Sequence, residues 1–118
     1  MSFFLRTLVR NAHLTEETAN FDGLRALLVF RTKERTYRGQ DHEVTLVAIA
    51  ALKQMGAQLT DVTEWISLLC NNVLKNPSAE SQVTDAISQM PDDDTSSSLI
   101  DWVNGTRRLM ETLATTLY

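Results

Sequence analysis

The sequence predicts an all-α protein, a compact antiparallel helical bundle of four longer helices with one or two short ones, and three observations carry that prediction. Apolar residues recur at helical spacing in six stretches, cap-forming and helix-breaking residues stand between them, and no two alternating segments are placed to pair as strands. The clearest stretch is Val44, Val47, Ala48, Ala51, Leu52 and Met55, with spacing i, i+3, i+4, i+7, i+8, i+11. A stripe of that kind must be buried against something.

Taken in order, the first helix is expected over Ser2 to Ala12, hiding Phe4, Leu5, Leu8, Val9 and Ala12 and leaving Phe3 toward a partner. Thr15 is read as the cap of a second helix, with Glu16 and Glu17 at the positive end of its dipole. Its stripe is Phe21, Leu24, Leu27 and Leu28, and its expected stop is Gly39, after Arg38. The segment from Leu27 to Tyr37 also has strand-forming residues, but nothing for a strand to pair with. Asp41 is the expected cap of a third helix that ends at Gly56.

Thr60 or Asp61 is read as the cap of a fourth helix, Asp61 with Glu64 resembling the reciprocal capping pattern. Its inward residues are Val62, Trp65, Ile66, Leu69 and Val73, and Asn76 and Pro77 end it. Ser78 is expected to cap a short fifth helix burying Val83, Ala86, Ile87 and Met90, before Pro91 and the polar run from Asp92 to Ser98. The last helix should start near Ser97 and carry Leu99, Trp102, Val103, Leu109, Met110, Leu113 and Leu117, with a weak point at Asn104 and Gly105.

The 118 residues match one domain, and a hydrophobic content of 43% with 22% charged residues belongs to a globular chain rather than a disordered one. Cys70 is the lone cysteine, so no internal disulfide can form and a reducing, cytoplasmic setting is expected. Arg6 and Arg10 interrupt the first apolar patch before it reaches the length of a secretory signal core, and no window is apolar enough for a membrane span.

Charge is unevenly distributed. Residues 1–40 hold seven basic residues against four acidic, a balance of +3, whereas residues 41–118 hold four against eleven, a balance of −7. Arg31, Lys33, Arg35 and Arg38 crowd into eight residues. One reading joins them with Tyr37, Arg6 and Arg10 as a contact for a phosphate backbone or phosphorylated ligand. A second makes them the solvated end of a helix, cations at the negative end of its dipole, and a third sets the basic patch against the acidic half of another copy or another subunit, steering assembly.

Catalytic groups are sparse. His13 and Glu17 have the spacing of two ligands on one helix face, but a helix boundary falls between them; His42 and Glu43 lack the second histidine of a zinc-protease helix. Cys70 sits among leucines as an inert thiol, and Asp92, Asp93 and Asp94 lack the pattern of a calcium loop. Gly23, Gly39, Gly56 and Gly105 are too scattered to cradle phosphate. The expectation is a non-enzymatic protein without cofactor or metal, working as an interaction module, subunit or adaptor that binds another protein in a homo- or hetero-oligomer. Phe3, Leu46 and Ile49 are the apolar residues left over for that partner, the latter two widening the third helix's stripe past one face, as in a helix that is either central to the bundle or docked on a second chain. The alternative is a helical subunit that binds a nucleic-acid backbone or phospholigand through segment 31–38.

Overall fold

A nine-residue run of apolar residues and one threonine, Val44 to Leu52, organises the molecule, because every one of its members is at most 2% exposed. A helix buried around its whole circumference needs neighbours on every side. The computed structural model describes residues 2–12, 14–17, 19–33, 41–92 and 97–114, with side chains for all of these except 31–33 and 41. They form an all-α bundle: α1 (Phe3–Ala12), α2 (Phe21–Lys33), α3 (Asp41–Gln54), α4 (Leu59–Leu68), α5 (Glu80–Ser88) and α6 (Ser97–Leu113). A π-helical turn (Leu69–Val73) extends α4, and a 3-10 turn (Pro77–Ala79) leads into α5. Helices α1, α2, α4 and α6 all contact α3, and α5 packs on α4 and α6. The radius of gyration is 13.0 Å.

Helix α1 starts as its sequence requires. The Ser2 hydroxyl accepts from the Leu5 amide at 3.2 Å, and Phe4 and Leu8 turn inward. Phe3, the residue left over in the sequence, is not fully outward. It packs half-buried on the core, its ring 5.8 Å from that of Phe4.

Helix α2 begins six residues later than Thr15. The Asn20 side chain accepts from the Gly23 amide at 2.9 Å and donates to the Glu17 carbonyl at 2.8 Å, which makes Asn20 the cap. Thr15, Glu16 and Glu17 are all exposed, so a helical turn through them would bury none of their own side chains. The ambiguous stretch after Leu27 is helical to Lys33; the expected stop at Gly39 lies outside the described residues.

Helix α3 ends where the sequence predicts, through a glycine that is structurally required. Gly56 has φ of 91°, its amide donates to the Lys53 carbonyl at 3.1 Å, and the Ala57 amide donates to Leu52 at 3.0 Å. That pair of bonds is the Schellman closure, which needs a left-handed residue. Met55, read as the stripe's last member, sits past the helix end and is 39% exposed. Leu46 and Ile49 are both 0% exposed. Their place is the centre of the bundle and not a docking surface, because α3 has helices on all sides.

Helix α4 starts at Leu59 after Gln58, with no side-chain cap, so Thr60 and Asp61 lie in its first turn and no reciprocal capping forms. Val62, Trp65, Ile66, Leu69 and Val73 all point inward as expected. The π turn inserts one extra residue, closed by Leu74 N–H to Leu69 O at 2.9 Å, and this turns Leu69, Cys70, Val73 and Leu74 all into the core. Ser78 does not cap α5. Asn76 precedes the 3-10 turn, and Ser78 donates its hydroxyl to the Asn76 side chain at 2.6 Å. Helix α6 runs unbroken through Asn104 and Gly105.

Side chains lock the helix ends to one another. Lys53 Nζ reaches the Ile87 carbonyl at 3.0 Å, Trp102 Nε1 the Ala86 carbonyl at 2.7 Å, and Asn76 Nδ2 the Leu113 carbonyl at 2.9 Å. Each donor reaches a carbonyl in the last turn of a helix, and those of Ala86 and Ile87 also accept from the Gln89 and Met90 amides.

One buried polar atom in α3 stands out. Thr45 is 0% exposed and its hydroxyl has no hydrogen-bond partner. An unmatched hydroxyl in apolar surroundings costs about 1–3 kcal/mol. Thr45→Val is therefore expected to raise the unfolding free energy by about 1 kcal/mol, whereas Ile49→Ala lowers it by roughly 2–5 kcal/mol, both measured by urea denaturation.

Candidate functional site

The core accounts for one side of α2. Leu24 and Leu28 are fully buried and Phe21 and Leu27 half-buried. The opposite side exposes Asp22, Ala26, Val29 and Phe30, at i, i+4, i+7 and i+8, so they form one line on the helix. Phe30 is 59% and Val29 43% exposed. Arg25 is exposed beside this line, its guanidinium 6.0 Å from the Phe21 ring centre. An aromatic and a β-branched residue side by side on an outward helix face make an apolar patch with charge at its margin.

The basic residues singled out in the sequence are only partly placed. Arg31 and Lys33 fall in the last turn of α2, and Arg35, Tyr37 and Arg38 lie outside the described residues. Arg6 and Arg10 are exposed on α1.

A second surface feature lies between α5 and α6, a groove of about 270 Å³ lined by Ala86, Gln89, Trp102, Gly105, Thr106 and Leu109. Trp102 is half-buried, tied to α5 by its indole N–H and set edge-on to Phe4 at 6.4 Å. Gly105 is exposed, and a Cβ built on it meets nothing within 4 Å. A helix-interior glycine costs about 1 kcal/mol against alanine. No close contact among the described residues requires it.

Among the described residues the titratable groups do not converge. Cys70 is fully buried in the π turn, and burial first, with the Glu80 carboxylate second, pushes its thiol from 9.0 up to about 11. It is protonated at neutral pH. His42 is half-buried at the start of α3, and His13 lies outside the described residues. Among the described residues no cluster of three or more His, Cys, Asp or Glu is placed to hold a metal ion, and no helix is long and apolar enough to cross a membrane.

Sequence reasoning missed Phe30 and Val29 as surface residues, although their displacement from the Leu24 and Leu28 stripe was the available signal. The groove left none, since Trp102 and Leu109 read as ordinary members of the inward face. Compared with known proteins, the chain matches no family model, no curated protein and no solved structure.

Two outcomes follow from this geometry. Because the unfolded chain gives up the Cys70 proton first, the thiol's stabilising contribution is complete below 9.0 and is lost as pH rises through about 11. The urea midpoint should fall across that window, and Cys70→Ala should remove the fall; iodoacetamide at about pH 8 should label Cys70 only as the chain unfolds. Gly105→Ala should stabilise the dilute protein by about 0.5–1 kcal/mol, read from its thermal melt.

Proposed function

We propose that this protein is a non-catalytic interaction module, a small helical subunit or adaptor that docks the outward face of α2 against another protein. The observation that carries this reading is the exposure of Val29 and Phe30 on one helix face, over a core that has apolar residues enough without them. Large aromatic residues at the middle of an apolar patch are the usual anchors of protein interfaces. Burying such a side chain is worth about 1.5–3 kcal/mol, which a partner would recover. Arg25 and Asp22 supply a polar margin that restricts which surface can fit. A reducing, cytoplasmic setting agrees with a single cysteine kept protonated and buried.

The reading is tested by affinity capture from cells that naturally make the protein, at low and high salt, with wild type beside Val29→Asp and Phe30→Asp. Both positions are exposed, so the variants should keep the wild-type circular dichroism and melting temperature. Each should lose the captured protein by at least about tenfold in affinity. Recovery of nucleic acid instead, abolished by salt and indifferent to Phe30→Asp, would replace this reading with phosphate-backbone binding through Arg31, Lys33, Arg35 and Arg38.

A further inference from the structure

Helix α6 presents a second exposed line, Ser98, Asp101, Gly105, Arg108 and Thr112. Its spacing of three, four, three and four residues is that of a seam between two helices. Asp101 stands four residues before Gly105 and Arg108 three after it, about 6 Å and 4.5 Å along the axis. Seven residues apart, these two charges cannot reach each other on one helix, and neither has an ion-pair partner among the described residues. Between them lies the glycine whose open face meets no described residue within 4 Å of a Cβ built on it.

We propose that the protein forms a two-fold symmetric dimer in which α6 pairs antiparallel with α6 of a second copy, the two helices crossing at Gly105. This arrangement sets Asp101 of each copy against Arg108 of the other, to within about 1.5 Å along the axis. A parallel pair would oppose like charges, so the charge pattern selects the antiparallel form. The self-complementary sequence of charges is what identifies a second copy as the occupant: a two-fold interface requires that the residues facing each other be the same two residues in both directions. Gly105 at the crossing lets the axes approach toward the short end of the 8–10 Å range for packed helices. Trp102 and Leu109, half-buried walls of the groove beside the seam, lose further solvent contact in the pair. The dimer goes beyond the α2 reading and does not depend on it.

Sedimentation equilibrium on the full chain, from about 10 to 500 μM, should show a monomer–dimer equilibrium. Asp101→Arg and Arg108→Asp should each weaken it about tenfold, through two lost pairs and two new repulsions, and the double variant should return to within about threefold of wild type. Gly105→Cys should form a covalent dimer on mild oxidation, because the two-fold axis brings the position against its own copy, while Thr63→Cys on exposed α4 should not. Buried Cys70 does not compete. A wild type that stays monomeric throughout would sink the proposal. So would a dimer that the charge exchange does not restore, or one that leaves Gly105→Cys unlinked; the cysteine variant decides the matter even if a charge reversal disturbs folding.

Discussion

The burial of α3 on every side is the constraint from which the rest of the architecture follows. A helix with one apolar face can lie on the surface of a bundle, but nine consecutive buried residues leave no solvent side. Covering such a cylinder takes several neighbours, and α1, α2, α4 and α6 provide them. The surrounding helices then need only one inward stripe each, and that is what their sequences hold. The small residues of α3, Ala48, Ala50 and Ala51, let those neighbours approach. The single apolar cluster that results joins residues from Phe4 to Met110.

Packing around a central rod does not by itself fix where the outer helices begin and end along it. Polar side chains do that here. Lys53 at the end of α3 and Trp102 in α6 both reach carbonyls in the last turn of α5, so the shortest helix is held from two directions. Asn76 reaches the end of α6 in the same way. A net hydrogen bond contributes only about 0.5–1.5 kcal/mol, and the Ala86 and Ile87 carbonyls also accept from the Gln89 and Met90 amides, so these contacts favour one register over its neighbours by that modest amount each.

With residues 44–52 of α3 buried, the exposed faces of the described residues lie mainly on the outer helices. The two surface lines of interest have opposite characters. On α2, the line is apolar and belongs to a helix whose buried face is already complete. On α6, it is polar, centred on a glycine and balanced in charge. Neither contains a group primed for bond-making, and the one thiol lies on the inward side of the π turn, protonated. The α2 patch is legible in principle, since Val29 and Phe30 fall off the Leu24 and Leu28 stripe; their β-branched and aromatic side chains also suit a strand. The α6 line was hidden because spacing reveals polar seams poorly: Ser98, Asp101 and Arg108 look like any solvated face until the helix is known to run straight through Gly105.

What the sequence determined was the class of the fold, the presence of each helix, and nearly all inward residues of α4 and α6, because a 3.6-residue repeat of apolar side chains has few other ways to hide from water. It also determined the end of α3, since Gly56 tolerates the left-handed turn that the chain makes there. Only the tertiary structure decided that Leu46 and Ile49 are central rather than outward, for a helix apolar all round is identical in sequence whether its second face meets its own bundle or another chain. The same holds for the start of α2 at Asn20 and of α4 at Leu59. Many residues can cap a helix, and which one does so depends on where the first turn begins to bury apolar surface.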